Sequence, residues 1–79
     1  MIRVGVVGRI ASGDEQGRYV LIKELPDVPP SYLILTAADS DFQTAGGDSW
    51  VEDEASLQQF FDEARWVVAW RQEGEEKQS

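Results

Sequence analysis

The chain has no cysteine and no histidine. The first absence removes disulfides and thiolate chemistry. The second removes the commonest general base and the commonest metal ligand. Cations are scarce as well: Lys and Arg number 7 against 15 Asp and Glu, a net charge of -8. A nucleic-acid reader needs a basic face to meet phosphates, so direct DNA or RNA binding is not expected. Docking on anionic lipid is unexpected for the same reason. No apolar run approaches the roughly 20 residues of a spanning helix. The opening Met1-Ile2-Arg3-Val4-Gly5 has neither the basic region nor the long apolar core of a signal peptide. These features predict a cytoplasmic protein with no cofactor and no metal.

What remains is enough for one small folded domain: 79 residues, 42% hydrophobic and 28% charged. Residues 1–71 read as that domain, and the polar, Glu-rich residues 72–79 read as a flexible acidic tail. Residues 2–11 alternate, with Ile2, Val4, Val6, Gly8 and Ile10 on one face, which predicts a half-buried strand. Residues 12–17 form a Gly- and Asp-containing turn. Residues 18–25 and 32–37 are strands with apolar residues on both faces, separated by Pro26, Pro29 and Pro30, which cannot continue a ladder. Residues 38–49 read as a polar connection whose one large apolar residue is Phe42.

A helix is predicted over residues 53–64. Asp53 is its N-cap, Glu54 complements the dipole, and Leu57, Phe60, Phe61 and Ala64 make one apolar stripe. Residues 65–71 form the last strand, with Trp66, Val68 and Trp70 opposite Val67 and Ala69. The order β-β-β-α-β predicts an α+β domain, an antiparallel sheet of about four strands with one helix packed on one face. One helix covers one sheet face only. Tyr19 and Leu21 lie opposite Val20 and Ile22, so one of these faces is expected to meet a loop or another chain.

Chemical motifs are weak. The Gly5, Gly8, Gly13 series lacks both the spacing and the following helix of a dinucleotide fingerprint. Asp39-Ser40-Asp41 begins like a calcium loop, but Gln43, Thr44 and Trp50 stand where a ligand, a glycine and a glutamate belong. The remaining acid–base candidates are carboxylates, Lys23, Lys77, Tyr19 and Tyr32, and a chain this small has little room for the cleft they would need. No enzyme activity is expected.

Charge patterning says more. Residues 24–63 hold ten acids and no Lys or Arg: Glu24, Asp27, Asp39, Asp41, Asp48, Glu52, Asp53, Glu54, Asp62 and Glu63. Such a block is either an ordinary solvated surface or a face that steers a basic partner. Within it, Trp50 stands beside Glu52, Asp53 and Glu54, an aromatic anchor with a charged rim. Trp50 would otherwise close the core under the helix. Asp39, Asp41, Asp48, Trp50, Glu52, Asp53 and Glu54 are the candidate partner-binding residues.

Gly17-Arg-Tyr-Val-Leu-Ile22, Ser31-Tyr-Leu-Ile-Leu-Thr36, Asp41-Phe42, Asp48-Ser-Trp-Val-Glu-Asp53, Leu57-x-x-Phe60-Phe61 and Trp66-Val-Val-Ala-Trp70 together resemble the small acidic immunity-like proteins of bacterial polymorphic toxin systems. The resemblance implies a single-domain inhibitor that binds a toxin enzyme. The size and plan also match MbtH-like partners of peptide synthetases, but their Asn-x-Glu-x-Gln-x-Ser-Leu-Trp motif is absent. The expected function is therefore a protein-binding module of the immunity type. The alternatives are a homodimeric structural or adaptor module and an acidic nucleic-acid mimic that inhibits a DNA-binding enzyme.

Overall fold

The computed structural model describes residues 2–43 and 46–71. The elements are β1 (Gly8–Ser12), β2 (Tyr19–Leu25), β3 (Ser31–Ala37), β4 (Asp48–Val51), α1 (Glu54–Ala64) and β5 (Val67–Trp70). The expected α+β plan holds: an antiparallel sheet with a helix across one face. The sheet has five strands in the order β4-β3-β2-β1-β5. The first four form a meander, and α1 carries the chain from one edge strand to the other.

Two expectations need correction. The first strand does not begin near Ile2. Gly5 takes φ +78° and turns the chain, its amide bonding to the Ile22 carbonyl at 2.8 Å, so regular pairing starts only at Gly8. Ile2 is thereby free to pack against the core from outside the sheet. The polar connection over residues 38–49 contains the start of a strand. Thr36 and Gly47 exchange backbone hydrogen bonds of 2.9 and 3.1 Å, and β4 continues that ladder with Leu33 opposite Trp50. The order is accordingly β-β-β-β-α-β. Residues 72–79, expected as a tail, lie outside the described residues.

The core forms where the helix stripe meets the alternate residues of the sheet. Ile10, Val20, Ile22 and Ile34 are buried beneath Leu57 and Phe61, with Phe60, Ala64, Val68 and Trp70 at the margin. Removing a side chain of this size from water is worth roughly 1.5–3 kcal/mol each. Asp53 starts the helix as expected, its carboxylate accepting from the Ser56 amide at 2.8 Å. The helix ends in a Schellman turn. Arg65 sits in the left-handed region, its amide donates to the Asp62 carbonyl, and the Trp66 amide donates to the Phe61 carbonyl. The hydrophobic contact that accompanies such a turn is also present, with the Phe61 and Trp66 rings edge to face at 5.0 Å. Trp66 then ties the turn between β1 and β2 to this corner, its indole N–H donating to the Asp14 carbonyl at 2.6 Å.

Candidate protein interface

The register fixes which residues share the sheet face away from the helix. Arg9 pairs with Tyr19 and Ala69, Tyr19 with Ala37, Leu21 with Leu35, Lys23 with Leu33, Leu35 with Asp48, and Leu33 with Trp50. Their strand neighbours Ile10, Val20, Ile22 and Ile34 point into the core, so this set lies on the face away from the helix, where Ala37 is nonetheless buried. Leu21, Leu33 and Leu35 form its half-buried centre. Trp50 stands on the edge strand with 58% of its surface exposed, and Val67 on the opposite edge has 60%. Trp50 therefore does not close the core beneath the helix.

The seven candidate residues divide into three groups. Asp48 and Trp50 lie together on the outward face of β4. Asp39 and Asp41 belong to the loop before β4, where the Asp39 carboxylate accepts from the Gln43 amide at 3.2 Å. Phe42, at φ +56° in the same loop, lines a groove of about 300 Å³ with Leu35, Ala37, Gly47 and Asp48. Glu52, Asp53 and Glu54 follow β4. Of these, Glu52 is exposed. Asp53 is engaged as the helix cap, and hydrogen bonding to Ser56 holds its carboxyl below the usual range. Glu54 sits on the helix side: with Glu24 it adds to the burial that raises the Tyr32 phenol above its ordinary value. The acids thus bracket β4 and continue around to the helix.

Sequence reasoning did not single out Arg9, Leu33, Leu35 and Lys23 for this surface. Alternation within β2 and β3 was the available signal, but the pairing that sets Lys23 and Arg9 across from the acidic edge is long-range. The face carries acid on its β4 edge, at Asp48, and cations further in, at Lys23 on the central strand β2 and at Arg9 on β1, with β5 beyond it.

The other concavities are of similar size, about 220 to 350 Å³. The groove between α1 and β5, about 290 Å³, is lined by Ile2, Phe61, Trp66, Val68 and Trp70, with Asp62 as its only ionisable side chain among the described residues. Such a lining can hold an apolar group. Among the described residues no three His, Cys, Asp or Glu side chains converge as a metal site. Among them, too, no helix is long and apolar enough to cross a membrane. No protein-family model, curated protein or solved structure matches the chain.

Proposed function

We propose that this chain is a small, non-catalytic protein-binding module of the inhibitor type, docking a partner on its outward sheet face with Trp50 as the anchor. The observation that carries the reading is the face itself. A half-buried leucine centre, an exposed tryptophan on an edge strand and a charged margin make the combination found at interface hot spots. Asp48 beside Trp50, with Glu52 and Asp41 exposed to either side along the chain, favours a basic contact on the partner. The resemblance to immunity-like proteins supports an inhibitory role and a toxin enzyme as the target.

The test is affinity capture from the native host with the full chain as bait, followed by binding measurements on the purified captured protein. Trp50→Ala should weaken binding by at least about tenfold, as a hot-spot truncation of about 2 kcal/mol does. Rising salt should slow association. Binding that is indifferent to Trp50→Ala would remove this face as the site.

A further inference from the structure

The proposed reading docks a toxin enzyme on the outward face, and the charge layout of that face also fits a competing occupant. This inference rests on that reading of the face as a docking surface and gives it a second copy of the chain. Along the strands, Arg9 lies in the row of Tyr19 and Ala37, and Asp48 lies in the next outward-facing row, that of Leu21 and Leu35. Across the strands, β1 and β4 flank the β2–β3 pair symmetrically. A face with Arg9 on one side of its β2–β3 centre and Asp48 on the other can oppose these two unlike charges when its own copy is turned about a two-fold axis.

We propose that a second copy of this chain occupies the outward face, the two sheets packing about a two-fold axis that runs along the strands between β2 and β3. That rotation lays β1 of each copy over β4 of the other. It brings Arg9 to within one outward-facing row, about 7 Å along the strand, of Asp48 of the second copy. An arginine side chain spans such an offset, and the tilt of about 30° between aligned packed sheets accommodates it. Neither Arg9 nor Asp48 makes an ion pair within its own chain among the described residues, and both are exposed. Leu21, Leu33 and Leu35 fall at the axis, with Lys23, the register partner of Leu33, beside them.

The area sets the strength. Strands of seven residues in a five-stranded sheet give a face about 20 Å on each side. Two such faces remove on the order of 1,000 Å² from water, the lower end for specific interfaces. The association is therefore reversible and concentration-dependent. Residues 72–79 contain no hydrophobic side chain, so the apolar centre gains nothing by burial beneath them. The second copy also supplies the basic contact that Asp48 and Trp50 favour.

Sedimentation of the full chain at low salt, from about 5 µM to about 500 µM, reads the equilibrium. The mass should rise toward twice that of the chain. Arg9→Asp or Asp48→Arg alone places like charges at both symmetry-related contacts and should raise the dissociation constant at least about tenfold. An equimolar mixture of these two variants opposes unlike charges at both contacts and should regain the association of the unaltered chain. Circular dichroism and melting of each variant confirm that these exposed substitutions leave the fold intact. A monomer across the whole range overturns the proposal, as does a mixture that associates no better than its components. The docking reading fails separately, when a captured host protein binds the Trp50→Ala variant as well as the unaltered chain. A monomeric chain whose captured partner still depends on Trp50 overturns the dimer alone and assigns the face to a different protein.

Discussion

Trp70 takes the space that a side chain at Gly8 would need. The two residues are register partners between β1 and β5, and a Cβ added to Gly8 would stand 2.7 Å from Trp70 Cε3, with a Val68 methyl nearer still. The missing side chain lets the Trp70 ring lie over β1 and stack on Phe61, their centroids 6.2 Å apart. Gly8→Ala should therefore push two packed side chains out of place and destabilise the fold by about 1–3 kcal/mol, as overpacking does. Equilibrium denaturation measures this. An unchanged midpoint would mean that Trp70 does not close against the sheet.

Arg65 carries the opposite expectation. It occupies the left-handed position of a Schellman turn at φ 58°, where glycine is ordinarily found, and its side chain is exposed. Arg65→Gly relieves the backbone at the expense of a more flexible unfolded chain. The balance should stabilise the protein by about 0.5–1 kcal/mol. A loss of stability in thermal unfolding would show that the arginine side chain contributes an interaction at the corner.

The contrast between these residues bears on how much could be read without coordinates. The helix was legible up to its last turn, because Asp53 and the stripe of Leu57 and Phe61 are local signals; its exit was not, since residues 65–71 read as one strand while Arg65 takes a left-handed turn and β5 starts at Val67. Strands β2 and β3 were legible because bulky residues fill both faces. The start of β1 was not: Ile2, Val4 and Val6 alternate as a strand does, and only the backbone turn at Gly5 ends the pattern. Strand β4 was hidden because Asp48-Ser49-Trp50-Val51 is short and Gly46-Gly47 precedes it, so its β structure comes from pairing with β3. For the same reason Trp50 was legible as an aromatic among acids, but its side of the sheet was not. That depends on its being opposite Leu33.

Two titrations should mark the ends of the pH–stability curve. The Asp53 carboxyl is held below its ordinary value by the Ser56 hydrogen bonds. Its stabilisation is fully present above the unfolded value near 3.9 and is lost as pH falls through the lower folded value. The Tyr32 phenol is raised by burial, then by Glu24 and Glu54. Its contribution is complete below about pH 10 and is lost as pH rises toward the raised folded value. Asp53→Ala should lower the melting temperature by several degrees at neutral pH and flatten the acid limb. Tyr32→Phe should flatten the alkaline limb alone. Urea denaturation across pH separates the two, and parallel curves for both variants would contradict these assignments.

The tryptophans offer the sharpest separation of folding from binding. Trp66 is buried at the helix exit, lies edge to face with Phe60 and Phe61, and anchors the β1–β2 turn through its indole N–H. Trp66→Ala should cost about 3–5 kcal/mol, enough to unfold a domain of this size. Trp66→Phe keeps most of the ring packing but leaves the Asp14 carbonyl without its donor, and should cost about 1–3 kcal/mol. Trp50 is more than half exposed on an edge strand. Trp50→Ala should therefore shift stability by less than about 1 kcal/mol, the range of strand propensity, even though it weakens association through the outward face. Urea denaturation of each variant, set beside its sedimentation and binding behaviour, reads both effects on the same samples. A large stability loss at Trp50 would place it in the core and leave the outward face without its anchor. A small one with full loss of association would separate the residue that binds from those that fold.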